Sequence, residues 1–167
     1  MANYRIRSTG EVKNQGEVRK MFSTTSLPRV WNDTIHEELG IDPIFEGSQA
    51  TGGTVYQYSV QQGIEEIDGK WYTKYVLGPI FSDYTDEEGN TVTAAQQKTD
   101  YEARKDSEQG ASVRSQRDQL LKESDWTQGK DIPESISTPW AAYRQELRDV
   151  PTQEGFPWTI TWPTQPE

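Results

Sequence analysis

The sequence predicts an α+β fold: a small N-terminal α+β domain with a β-hairpin, a long central helix, and a C-terminal helical hairpin with an extended aromatic arm. Three observations carry this prediction. Asp68-Gly69 stands between two β-rich runs, the strongest short-range hairpin signal. Between Ala94 and Glu123 nothing breaks a helix except Gly110. Trp140, Tyr143, Leu147 and Val150 recur at helical spacing between Pro139 and Pro151. The chain divides accordingly into a small α+β domain over 1–83, an acidic loop with the long polar helix over 84–112, and a helical hairpin with its arm over 113–167.

Within the first segment, Tyr4-Arg5-Ile6-Arg7 alternates before Gly10 and predicts a short strand. Gly16 to Phe22 predicts one or two helical turns, broken at Leu27-Pro28. Asn32 or Asp33 caps a second short helix through Glu38, with Gly40 at the usual C-terminal stop. Gly47 to Gly53 is loop-like. The hairpin then pairs Thr54–Ile67 with Lys70–Leu77, and the first of these changes phase near Gly63, which predicts a bulge. Trp71, Thr73, Tyr75 and Leu77 share one face, with Tyr72 and Val76 on the other. Both faces are apolar, so the short helices are expected to cover one and a partner the other.

Ser82 to Asn90 is an acidic loop. Thr93-Ala94-Ala95-Gln96 fits a capping box at the start of the long helix, where Gly110 costs about 1 kcal/mol. Continuous to Glu123, that helix would be roughly 45 Å long at 1.5 Å per residue. Its apolar residues are too sparse for a coiled-coil seam. A further helix is expected from Pro139 to Asp149, with Thr138 as cap and Pro151 as stop. Leu120, Leu121, Trp126, Trp140, Tyr143 and Leu147 are the expected core of the helical hairpin. In the arm, Phe156, Trp158, Ile160 and Trp162 alternate onto one face.

Composition narrows the function. With 32% hydrophobic residues and a mean hydropathy of -0.92, the chain can bury aromatic-anchored clusters but hardly one large core. Its 11% aromatic content argues against disorder. A net charge of -10 disfavours nucleic acid and anionic membranes as partners. There is no cysteine, hence neither disulfide nor thiolate chemistry. Neither a membrane span nor the apolar core of a secretory leader is present.

No catalytic residue, cofactor or metal site is expected. His36 is the only histidine, and a lone histidine is more often structural than a base. Without cysteine or a second histidine the usual zinc sets are excluded. Acidic pairs such as Glu65/Glu66 and Glu87/Glu88 arise by chance among 27 acidic residues. The basic residues Arg114, Arg117, Lys122, Arg144 and Arg148 are expected either to pair with Asp118, Asp125, Glu146 and Asp149 between the hairpin helices, or to form an Arg-and-Trp contact surface. Phe156, Trp158 and Trp162, with Arg144 and Arg148, are the candidate partner-binding residues.

Two runs carry a family likeness: Arg114 through Arg117-Asp118, Leu120-Leu121 and Ser124-Asp125-Trp126-Thr127-Gln128, then Trp140, Tyr143-Arg144-Gln145, Leu147-Arg148-Asp149 and Pro151 to Gly155-Phe156-Pro157 and Trp162-Pro163. Written as RDxLLxxSDWTQ and WxxYRQxLRDxPxxxGFP, they resemble the tail assembly chaperone domain of tailed bacteriophages, over Val113 to Pro163. The resemblance implies a non-enzymatic protein that associates with a phage tail fibre or baseplate protein. It would act in the host cytoplasm during assembly or stay in the virion tail, in several copies. The alternative is a tail-associated cell-wall hydrolase using an acidic pair.

Overall fold

A computed structural model describes residues 2–167. The chain folds as two compact units, Met1–Ile80 and Phe81–Glu167.

The first unit is built on a five-stranded sheet of order β2-β1-β3-β5-β4, with β1 at Asn3–Ile6, β2 at Val12–Asn14, β3 at Ile41–Phe45, β4 at Tyr58–Ile67 and β5 at Lys70–Gly78. All neighbours are antiparallel except β3 and β5. Helix α1, Gln15–Met21, starts with a complete capping box: the Asn14 side chain accepts from the Glu17 amide and the Glu17 carboxylate accepts from the Asn14 amide. Helix α2, Asp33–Leu39, is capped by Asn32 and stopped by Gly40 at φ 62°. Tyr4, Ile6, Val18, Trp31 and Ile41 form the buried core, with Phe22, Leu27, Ile35 and Leu39 around it. His36 packs its ring on Tyr4 at 5.5 Å and is 9% exposed, a structural position.

The hairpin turns at Asp68-Gly69, both at positive φ as a type I′ turn requires. The register slips between Gln61 and Ile64, around Gly63 at φ 78°. Two expectations are corrected. β4 begins at Tyr58 rather than Thr54, because Thr54–Gln57 closes a turn of its own. The short helices gather over β1 and β3, not over the hairpin. The Thr73–Leu77 face is covered instead by the incoming loop: Gly47 N–H donates to Thr73 Oγ1 at 2.8 Å, Ala50 N–H to Ser59 Oγ at 2.9 Å, and the Tyr75 hydroxyl to Glu46. On the opposite face Tyr72 meets Phe45 at 5.7 Å, and Phe45 is 44% exposed.

The second unit opens with a two-stranded ribbon, β6 at Tyr84–Thr85 and β7 at Thr91–Val92. The Asp86 carboxylate accepts from the amides of Glu88 and Asn90 and from the Asn90 side chain, which holds it below the usual carboxylate range. The acidic loop is thus a hairpin tied by Asp86 at its turn. Helix α3, Ala94–Glu123, is capped by Thr93, whose hydroxyl accepts from the Gln96 amide. Gln96 does not complete the box; its amide donates to Asp100, while the Ala94 N–H is taken by Asp83 at 2.6 Å.

Helix α4 runs Glu134–Asp149 and so starts five residues before the predicted Pro139. Thr138 is not its cap. Pro139 removes only one N–H, and the turn around it is exposed, so the carbonyl it leaves free meets water. Pro133 marks the true boundary, and Glu134 favours the positive end of the helix. Trp140, Tyr143 and Leu147 form the hairpin core, packed on Leu120, Leu121 and Trp162.

Candidate functional site

The corner between α3 and α4 is built by a buried guanidinium. Ser124 donates its hydroxyl back to the carbonyls of Leu120 and Leu121 at 2.8 and 2.9 Å, closing the last turn of α3. Arg144, 8% exposed, reaches across from α4. Its Nη1 donates to the Leu121 carbonyl at 2.5 Å and to Ser124 Oγ at 2.7 Å, and its Nη2 donates to Asp125 at 2.8 Å. A cation thereby caps the negative end of a helix and satisfies carbonyls that helix geometry leaves unpaired. Thr127, fully buried, donates to the Ser124 carbonyl and closes the short 3-10 turn Asp125–Gln128. Arg144, expected either to pair with a hairpin carboxylate or to lie on a binding surface, pairs with Asp125 and is part of the hairpin lock.

Trp126 is the opposite case. Expected in the hairpin core, it is 58% exposed and meets Trp140 edge-on, with centroids 5.7 Å apart. The corner turns its ring outward, since Ser124 and Thr127 take the inward positions of that turn. Tyr143 is buried beside Trp140, and burial, with the negative charge of Glu123 adding, pushes its phenol up.

The arm is not one extended run from Phe156. The amides of Trp158 and Thr159 both donate to the Gly155 carbonyl, at 3.0 and 2.7 Å, and the Phe156–Pro157 peptide is cis. This turn aims Phe156 and Trp158 at α3 separately. The Phe156 ring lies against Gly110, where an added Cβ would stand 3.3 Å from the ring, and the Arg114 guanidinium carbon lies 4.9 Å from the ring centroid. Trp158 Nε1 donates to Asp106 at 2.6 Å, one helical turn earlier. Gly110, read in the sequence only as a cost, is thus the notch that receives an aromatic ring.

Beyond Thr159 the chain is irregular, and Gln153 clamps it: its side chain donates to the Thr161 carbonyl at 2.8 Å and accepts from the Thr161 amide at 2.7 Å. Trp162 packs on the hairpin cluster and also lines an open groove of about 320 Å³ with Glu146, Asp149, Thr152 and Pro163. In the first of the two readings of the basic residues, Glu146 and Asp149 pair with the hairpin arginines. Among the described residues the pairs that form here are Arg117–Asp118 at 2.7 Å and Arg144–Asp125 at 2.8 Å, and neither groove carboxylate is in one. Arg148 is exposed on α4.

Of the acidic pairs, Glu65 and Glu66 are consecutive on β4 and point to opposite faces of the sheet, so they do not face one bond. Among the described residues no group of three or more His, Asp or Glu side chains is arranged to hold a metal ion, and no helix is long and apolar enough to cross a membrane.

Residues 110–167 match the family model of the phage tail assembly chaperone protein. The match begins at the Phe156 notch on α3 and takes in the locked corner, α4 and the whole arm. No curated protein and no solved structure matches the chain.

Proposed function

We propose that this chain acts in the assembly of a bacteriophage tail by binding a tail fibre or baseplate polypeptide through its C-terminal unit, without chemistry of its own. The observation that carries the reading is the family match over 110–167, which falls on a hairpin locked from within yet ringed by accessible aromatic side chains. Trp126 is exposed, while Phe156, Trp158 and Trp162 are half-buried, and Arg148 lies free on the outer face of α4. Aromatic rings and arginine on a rigid frame are the residue types that dominate protein interfaces. Arg144 serves that surface indirectly, by fixing the corner that presents it. The exposed hairpin face around Phe45 and Tyr72 supplies a second contact end.

The test is co-expression of the tagged full chain with the tail genes of its phage. Co-purification of a fibre or baseplate protein is expected, weakened by Trp126→Ala and Trp158→Ala together. Truncating interface aromatics of this kind costs about 2 kcal/mol or more. Recovery of the wild-type chain without any tail protein overturns the reading. Mass spectrometry of purified virions then distinguishes a protein that leaves after assembly in the host cytoplasm from one retained in several copies on the tail.

A further inference from the structure

The groove beside Trp162 has a chemistry of its own. Glu146 and Asp149 sit three residues apart on α4 and line the same cavity with Trp162, Thr152 and Pro163. The only hydrogen bond to the Asp149 carboxylate among the described residues comes from the neutral Gln145 amide at 3.1 Å. Among the described residues neither groove carboxylate is in an ion pair. From Asp149 to the last residue the sequence holds Asp149, Glu154 and Glu167 but no Lys, Arg or His.

The nearby arginines are engaged elsewhere: Arg114 over Phe156, Arg117 with Asp118, Arg144 in the corner. Arg148 lies roughly 160° around α4 from Glu146 and roughly 100° from Asp149, at 100° per residue, and among the described residues it forms no ion pair with either. The two hydrogen bonds between Gln153 and Thr161 hold the indole wall in place before anything binds.

We propose that this groove receives the guanidinium group of an arginine side chain from the partner polypeptide. The inference rests on the protein-binding reading and names what that surface recognises. Two carboxylates on one wall accept the planar fork of N–H donors, and the indole offers the aromatic surface on which a guanidinium stacks. An ammonium would use one carboxylate at a time and gain less from the ring. The excess of negative charge on this stretch also draws a basic partner segment toward it.

The experiment uses the isotope-labelled full chain and follows the Trp162 indole N–H by NMR, assigned with Trp162→Phe. The probes are N-acetyl-arginine amide, its neutral isostere N-acetyl-citrulline amide, and N-acetyl-lysine amide. A saturable shift is expected with arginine, at least about tenfold weaker with citrulline, as expected for loss of a charge-assisted contact. The exposed-carboxylate variant Glu146→Gln/Asp149→Asn should lower arginine affinity about tenfold or more while the melting temperature stays put.

An equal response to citrulline or lysine, full arginine affinity in the double variant, or no saturable shift would each overturn the proposal. The two readings fail separately. Tail-protein capture that persists unchanged in Glu146→Gln/Asp149→Asn sinks the groove assignment alone. A wild-type chain that captures no tail protein sinks the proposed function, whatever the arginine titration shows.

Discussion

Arg144→Met tests whether a buried guanidinium holds the helical hairpin together. The substitution keeps most of the apolar stem and removes three hydrogen bonds. Nη1 serves two acceptors, Leu121 O and Ser124 Oγ, from one buried nitrogen. A hydrogen bond of this charged kind contributes about 1.5–3 kcal/mol. Nη2 meets Asp125, whose side chain is 65% exposed, so solvent screening limits that pair to under about 1 kcal/mol. The loss is capped because Ser124 Oγ still donates to the Leu120 and Leu121 carbonyls after the guanidinium has gone. The sum is about 2–3 kcal/mol for Arg144→Met, against about 0.5 kcal/mol for Asp125→Asn.

Urea unfolding, followed by the near-ultraviolet dichroism of the tryptophans, measures both variants on the second unit, where four of the six tryptophans lie. Arg144→Met combined with Ser124→Ala should show a coupling of about 1 kcal/mol, as contacting residues do. If Arg144→Met costs no more than Asp125→Asn, the exposed ion pair is the whole of the effect and the buried cap contributes nothing. That result would refute the reasoning.

Two further outcomes follow from the same structure. Gly47→Ala should destabilise the first unit by about 3 kcal/mol in chemical denaturation, because a Cβ there would stand 1.9 Å from the Thr73 carbonyl oxygen and the covering loop must lift off β5. Tyr143→Phe should be nearly neutral at pH 7 and change the alkaline behaviour. The Tyr143 phenol is raised above its ordinary value of 10.0 by burial, so its contribution is complete below pH 10 and is lost as pH rises through the folded value. Thermal melts between pH 9 and pH 11 should therefore fall less steeply for the phenylalanine variant; an identical slope would show that this phenol does not contribute.

Local chemistry was legible in the sequence wherever a residue acts on its own backbone. Thr93 and Asn32 as caps, Gly40 as a stop, Asp68-Gly69 as a turn and the slip at Gly63 are all set by neighbours within a few residues. What escaped was set by distant partners. β2 and β3 are three and five residues long, and β3 contains Pro43, tolerated because pairing with β5 starts only at Ile44. Their pairing with β1 makes them strands, and no local pattern announces it. For the same reason the Trp126 ring was expected inside and stands 58% exposed, and the sequence left open whether Arg144 pairs with a carboxylate such as Asp125 or faces a partner. A helical or turn pattern says that one side faces inward, but Ser124 decides which, by accepting Arg144. Gly110 carried a signal that was read only halfway: a glycine inside a helix of good formers asks what lies against it, and the answer is Phe156.

One of the two outer strands of the five-stranded sheet, β4, leaves one row of its peptide groups without a strand neighbour among the described residues. Such a border invites a second molecule to zip on and a third after it. Here Gly63 throws the row out of step partway along, and Glu65 and Glu66 set like charges beside the irregularity. Two identical borders brought together would be mismatched in spacing and would repel. A bulge and charged side chains are the devices by which sheet borders resist such growth.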